Sequence, residues 1–160
     1  MKMFKQFYLF IILLFFTSCG FSSMLKNVDL SDIEINKIDY SGPSGLTYYL
    51  KSNLNIPINK ALKDAYSLKI NIGESSASVT KNTAGITTEE EVTVTINFQI
   101  FDNKGRQIGG ENLSDGRVIS VTNNVSTDDE VKRIEKENII TNLIQKLTFA
   151  VKAKIISIQQ

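Results

Sequence analysis

Residues 92–100 constrain the fold most, because apolar and polar side chains alternate strictly in their sequence, VTVTINFQI. Successive side chains of a β-strand point to opposite faces, so this period of two predicts a strand that packs one face on a core. The other face, which carries Thr93, Thr95, Asn97 and Gln99, is expected to meet a polar environment.

The chain is predicted to turn back after this strand, at residues 102–105, which read DNKG. Glycine suits the last position of such a turn because it adopts a positive φ without a steric penalty. The returning strand, residues 106–121, contains Gly109, Gly110 and Gly116, and we expect bulges at these glycines.

Two more segments have the pattern of a strand. Residues 32–40 alternate except for a slip of one residue, which predicts a first strand with a bulge near Asn36 and Lys37. Residues 65–72 alternate again and predict a second strand. The stretch 73–90 is polar and rich in Gly, Ser and Thr, so we expect a long loop or the frayed end of a hairpin.

A helix is predicted between the first two strands. Leu46, Tyr49, Leu50 and Leu54 have the spacing i, i+3, i+4 and i+8, which places them on one face of a helix. Ser44 precedes this pattern and is the expected N-cap, because its hydroxyl oxygen can accept a free backbone N–H of the first turn.

A longer helix is predicted to begin near Thr127 and to continue almost to the last residue. Thr127 and Glu130 match a capping box, and the apolar pattern lapses only around 137–138. We expect this helix to cover the sheet with the apolar residues that keep helical spacing: Val131, Ile134, Ile140, Leu143, Ile144, Leu147, Val151, Ile155 and Ile158.

The predicted order of elements is therefore strand-helix-strand-strand-strand-helix. The simplest arrangement is an α+β fold, a mostly antiparallel four-stranded sheet packed on one face by two helices. The first helix can cross over between parallel neighbouring strands. Residues 32–160 are predicted to form this single domain.

Residues 1–18 have the pattern of a secretory signal, with two lysines, an uncharged apolar run at 7–16 and small residues at the end. Ten apolar residues in a helix span roughly 15 Å, about half of a bilayer's hydrocarbon core, so the run is too short to cross a membrane. A buried core helix is the alternative, although such a helix would show polar residues at helical spacing. Without the signal the chain has 16 basic and 17 acidic side chains, and this balance argues against nucleic-acid binding.

Residues 16–19, FTSC, resemble the lipobox of bacterial lipoproteins. The resemblance implies that Cys19 begins the mature chain and carries an S-diacylglycerol and an N-acyl chain, with no other cofactor. Residues 19–31 would then tether the domain to the membrane. Gly20, rather than Asp, follows the cysteine, which favours the outer membrane. A buried thiol or a disulfide to another molecule is the alternative for Cys19.

The sequence offers little for catalysis, because it has no His and only one Cys. Histidine is the commonest general base and metal ligand. Acidic clusters at 88–91 and 127–130 could in principle perform acid–base chemistry or bind Ca²⁺. A solvated strand start and a helix N-terminus are the simpler interpretations, so we predict that the protein is not an enzyme.

The whole arrangement resembles the LptE-type lipopolysaccharide-assembly lipoproteins. The similarity lies in CGF at 19–21, SGPSGLTYYLKSNL at 41–54, FDNKG at 101–105 and the helix that opens with STDDEVKRIEKENII at 126–140. It implies a non-enzymatic protein at the periplasmic face of the outer membrane, which occupies the large barrel LptD, assists its folding and contacts lipopolysaccharide. An accessory or binding lipoprotein of another envelope machine is the alternative.

Lipopolysaccharide binding would require cationic donors for phosphates and sugars at the tips of loops. Four side chains are candidates for such contacts: Lys81, Lys104, Arg106 and Arg117. Each of them could instead be a solvated surface charge.

Overall fold

The computed structural model describes residues 33–61 and 65–159. The predicted signal at 1–18, Cys19 and the tether at 19–31 lie outside the described residues. The predicted order of elements is confirmed. The elements are β1 (Ile35–Ser41), α1 (Ser44–Asn53), β2 (Tyr66–Lys81), β3 (Thr87–Phe101), β4 (Gln107–Ser120) and α2 (Val125–Gln159).

The four strands form one sheet in the order β1-β2-β3-β4, in which β1 and β2 are parallel and the other neighbours are antiparallel. α1 makes the crossover between the two parallel strands and packs beside α2. This is the predicted α+β fold, with two helices on one face of a mostly antiparallel sheet. The bulge expected in β1 is confirmed and lies between Ile35 and Lys37.

The hairpin of β2 and β3 is longer than the sequence suggests. Residues 73–81 continue β2 and pair with residues 87–95 of β3, so the expected loop is wrong. The alternative, the end of a hairpin, is correct in kind, although this end is paired rather than frayed. Asn82 closes the turn, because its Oδ1 accepts the backbone N–H groups of Ala84 and Ile86, each at 3.0 Å. Serine and threonine occupy both faces of this part of the hairpin, which hides the alternation that marks a strand.

β4 pairs with β3 with one shift of register, next to Gly109. The bulges expected at Gly110 and Gly116 are not present, since the pairing from Gly109 to Ser120 is unbroken. Gly110 instead provides space for the neighbouring strand. A Cβ at this position would lie 2.6 Å from the carbonyl oxygen of Phe98.

Both predicted helix caps are wrong. Ser44 is the first helical residue of α1, and Pro43 occupies the cap position without a side-chain hydrogen bond. α2 begins at Val125, and Asn124 Oδ1 accepts the backbone N–H of Thr127 at 3.3 Å. Asn124 therefore caps α2, and Thr127 lies inside the first turn. Asparagine is at least as good an N-cap as threonine, which explains the earlier start.

The core lies between the sheet and the two helices. The apolar side of β3 is fully buried, as its alternation predicts: Val92, Val94, Ile96, Phe98 and Ile100. In the described part of the chain, neither helix combines the length and the apolar character that a bilayer span requires.

The buried stripe of α2 differs from the prediction at three isoleucines. Ile139 is fully buried although the predicted stripe omits it, whereas Ile134 and Ile158 are 43% and 44% exposed. The apolar spacing is interrupted at 137–138, and the residues that reach the core begin after this interruption. This explains why Ile139 is buried.

Candidate functional site

The face of the sheet opposite the helices is polar, and we call it the open face. Thr93, Thr95, Asn97 and Gln99 lie on it, because the residues between them point into the core. Both described helices pack on the other face. Neighbouring strands extend the open face with polar residues that are in register with those of β3: Lys69, Asn71, Ser75, Asn112 and Ser114.

The open face presents hydroxyl and amide groups rather than an apolar patch. Asn71 Nδ2 donates a hydrogen bond to Ser41 Oγ at 2.9 Å. Lys69 Nζ lies 4.8 Å from the ring centroid of Phe101, a cation–π contact on the same face. Such groups suit a partner whose own surface is polar or hydrated.

The predicted lipopolysaccharide contacts are spread over the molecule. Lys81 ends β2 at one end of the long hairpin, whereas Lys104 and Arg106 belong to the turn at the opposite end of β3. β2 is paired with β3 from Ser67 to Lys81, a length of roughly 45 Å at about 3.3 Å per residue. Lys81 and Lys104 therefore cannot bind the same phosphate group.

The turn at 102–106 uses Arg106 for its own structure. Asp102 Oδ1 accepts the backbone N–H groups of Lys104 at 2.9 Å and Arg106 at 2.8 Å, and its Oδ2 accepts Arg106 Nε at 2.8 Å. These bonds, first of all that from the Arg106 backbone, hold the pKa of Asp102 below its usual range. The Lys104 side chain is exposed and is better placed than Arg106 to meet an anionic ligand.

Arg117 lies on the helix-covered side and joins a set of ion pairs between α2 and the sheet. Its Nη1 is 3.3 Å from Glu135 Oε2. These pairs fasten α2 over the sheet, although partly exposed pairs contribute only about 0.2–1 kcal/mol each. Three lysines of α2 make similar contacts: Lys132 with Glu90 at 2.7 Å, Lys136 with Glu74, and Lys146 with Asp115 at 3.4 Å.

The two acidic clusters also serve the fold. Glu90, in the cluster at 88–91, pairs with Lys132. Asp128 is 7% exposed, and its Oδ1 accepts the backbone N–H and the hydroxyl of Thr122 at 2.8 and 2.9 Å. Across residues 33–61 and 65–159, no group of three or more Asp, Glu, His or Cys side chains is placed to hold a metal ion.

A groove that the sequence analysis missed lies beside β1, and we call it the basic groove. It has a volume of about 780 Å³ and is bounded by β1, the end of α1 and the segment 54–60. The lysines come from separate elements, so only the folded chain brings them together. The groove is lined mainly by apolar side chains and three lysines: Ile38, Leu54, Ile56, Lys37, Lys51 and Lys60.

Solved structures of bacterial lipoproteins share this fold. The chain is similar to rare lipoprotein B from Shewanella oneidensis, with a TM-score of 0.61 and 14% identity over 78% of this chain and 100% of that chain. For a minor lipoprotein from Acinetobacter baumannii the TM-score is 0.55 and the identity is 20%, over 75% of this chain and 91% of that chain. For lipoprotein B from Nitrosomonas europaea the TM-score is 0.56 and the identity is 11%, over 72% of this chain and 80% of that chain.

At these identities the similarity establishes the fold. The chain thus has an α+β domain of a kind that occurs in bacterial lipoproteins, with one face of its sheet covered and the other open. No protein-family model and no curated protein matches the chain.

Proposed function

We propose that this chain is a non-enzymatic outer-membrane lipoprotein that binds an LptD-type barrel, assists its assembly and takes part in lipopolysaccharide transport. The open face carries this proposal, because a sheet with helices on one side only has a broad polar surface available to a partner. The fold supports the envelope location, since bacterial lipoproteins share it, and so does the resemblance of residues 16–19 to a lipobox.

The polarity of the open face matches the inside of a large barrel. The lumen of an outer-membrane barrel is polar, so a protein lodged in it needs hydroxyl and amide groups on its surface. A compact chain of this length has a radius of gyration of about 14–15 Å, which corresponds to a sphere roughly 37 Å across. Only a very wide barrel could enclose it.

The long hairpin has a length that fits this arrangement. Its roughly 45 Å is close to the thickness of a bilayer with its headgroups, about 40–45 Å. If the hairpin lies along the axis of the barrel, Lys81 and Lys104 are near opposite openings. Only one of these two lysines would then meet lipopolysaccharide that enters from the periplasm. The variants Lys81→Gln and Lys104→Gln should therefore differ in their effect on lipopolysaccharide transport.

Co-purification of the barrel with the tagged full chain tests the proposal. Asn97 is exposed at the centre of the open face, so Asn97→Arg should lower barrel recovery at least tenfold by placing a bulky charge there. Tyr48→Arg is the matched control, because Tyr48 is 75% exposed on α1 and lies on the helix side. Equal recovery with the two variants would show that the open face is not the contact.

Depletion of the protein gives a second readout. A cell without it should contain misassembled barrel and should retain lipopolysaccharide in the periplasm. Normal surface lipopolysaccharide after depletion would contradict the proposal.

An accessory or binding lipoprotein of another envelope machine is the second candidate. One observation favours it: the predicted lipopolysaccharide contacts do not converge, and Arg106 and Arg117 have structural ion pairs. Recovery of a soluble or inner-membrane protein in place of a barrel would support this candidate.

A further inference from the structure

We propose that the basic groove binds the phosphate headgroup of an anionic phospholipid and thereby docks the domain on the surface of a bilayer. The groove lies at the β1 edge of the sheet, away from the centre of the open face at Asn97. The proposal does not depend on the identity of the barrel partner.

The charge of the groove is the first argument. Lys37 Nζ lies 2.9 Å from Asp39 Oδ2, whereas Lys51 and Lys60 form no ion pair with any residue that the structure describes. No carboxylate is present among the described side chains that line the groove. The cleft between α1 and α2 is different, because it contains both Lys136 and its partner Glu74. The basic groove therefore has positive charge available for an anion from outside.

The apolar part of the groove is the second argument. Leu54 and Ile56 are buried where they line it, and Ile58 is 46% exposed beside them. Tyr40 also lines the groove, and its phenol hydroxyl can donate a hydrogen bond. A phospholipid fits both parts, with its phosphate at the lysines and its glycerol and first methylene groups against Ile58. A free phosphate would use the lysines alone.

The position of the groove is the third argument. Ile58 forms a parallel bridge with Ile35, so the groove lies beside the point where the described chain begins at Ile33. The predicted tether, residues 19–31, joins the domain at this point, and the 14 residue steps from Cys19 to Ile33 span at most roughly 50 Å at about 3.6 Å per residue. This end of an anchored domain would therefore stay within that distance of the membrane, where phospholipid headgroups are abundant.

Titration of the full chain with a short-chain phospholipid tests the proposal. The chain, in a nonionic detergent, is titrated with dihexanoylphosphatidylglycerol and followed by calorimetry. Replacing Lys51 and Lys60 together by Gln should weaken the affinity roughly 30-fold, because each lysine near an anionic lipid surface contributes roughly fivefold. Lys146 and Lys154 lie on α2 beside the β4 edge, opposite the groove. Replacing these two lysines together by Gln removes the same charge and should leave the affinity unchanged.

Three further ligands decide what the groove recognises. Dihexanoylphosphatidylcholine has the same chains without net charge and should bind at least tenfold more weakly. Equal binding of the two lipids, or equal losses in the two double variants, would overturn the proposal. Glycerol phosphate that binds as tightly as the lipid would assign the groove to a free phosphate. A hexaglutamate peptide that binds more tightly than the lipid would assign it to an acidic protein segment.

The same measurements keep this proposal separate from the proposed function. The four substituted lysines are exposed, so thermal unfolding should be nearly the same in all variants. Barrel recovery depends on the open face and should be unaffected by the substitutions at Lys51 and Lys60. Loss of lipid binding with normal barrel recovery, or the reverse, would show which of the two proposals fails.

Discussion

Gly42 and Gly45 lie three residues apart, yet their surroundings are opposite. Gly42, between β1 and α1, has a φ of 129°, and a Cβ there would lie 2.1 Å from the carbonyl oxygen of Ile72. Gly45, in the first turn of α1, has no atom within 4 Å of such a Cβ. The close approach of Gly42 to β2 allows the chain to leave β1 and enter the crossover helix directly.

Alanine at the two positions should therefore change stability in opposite directions. We expect Gly42→Ala to lower the free energy of unfolding by about 2–4 kcal/mol, through backbone strain and overlap with Ile72. Gly45→Ala should raise it by about 0.5–1 kcal/mol, because alanine has the higher helix propensity. Urea unfolding measures both, and a Gly42→Ala variant as stable as the parent protein would contradict this account of the crossover.

Asp128 gives the fold a dependence on pH at the start of α2. A hydrogen bond from the Thr122 backbone, followed by one from the Thr122 hydroxyl, lowers the pKa of Asp128 below its ordinary 3.8. Because the pKa of Asp128 is lower in the folded state, the ionised carboxylate stabilises the fold above pH 4. This stabilisation is lost as the pH falls through the pKa that Asp128 has in the folded protein. The melting temperature should therefore fall less steeply below pH 4 in Asp128→Asn than in the parent protein; parallel curves would exclude this role.

At the scale of elements, patterns that depend on neighbouring residues alone were sufficient to predict β3 and its hairpin. The alternation of 92–100 and the DNKG turn predict β3 and its hairpin with β4, because both follow directly from backbone geometry. Residues 73–81 form a strand for another reason: β3 provides a partner for their backbone groups. Serine and threonine on both faces of residues 73–81 hide the alternation of a strand, so the local pattern did not predict the extension of β2.

The candidate surfaces show the same limit. The polar side of β3 was predicted from alternation, and the structure extends it to the neighbouring strands to form the open face. The basic groove was not predictable, since Lys37, Lys51 and Lys60 belong to β1, α1 and the segment after α1. Arg117 was predicted as a lipopolysaccharide contact or a solvated surface charge, and its ion pair with Glu135 was not predictable because it depends on where α2 crosses the sheet.

The orientation of α2 can be tested with a pair of isoleucines. Ile139 is fully buried and Ile134 is 43% exposed, which is the reverse of the prediction from spacing. Ile139→Ala should lower the free energy of unfolding by about 2–5 kcal/mol through lost burial and an internal cavity. Ile134→Ala should lower it by less than about 1 kcal/mol. Denaturant unfolding compares the two, and a larger loss for Ile134→Ala would show that the other face of α2 packs on the sheet.

At the scale of the whole molecule, three surfaces have different chemistry. The helix side is a core covered by ion pairs, the open face is polar, and the basic groove lies at the β1 edge of the sheet. The groove lies at the β1 edge, so a domain held to a bilayer at the groove keeps the centre of its open face accessible. Membrane docking and barrel binding are therefore compatible when the β1 edge projects from the barrel towards the bilayer surface.

The anchor at Cys19 completes this arrangement and is tested by Cys19→Ala. Each buried methylene group contributes about 0.8 kcal/mol, and one acyl chain binds only marginally, so three chains make attachment effectively permanent. The variant should incorporate no labelled palmitate and should retain residues 1–18, which mass spectrometry detects. Its thermal unfolding should match that of the parent protein, because Cys19 precedes the predicted domain. Full labelling of the variant would contradict the anchor, and the basic groove would then be the membrane contact still open to test.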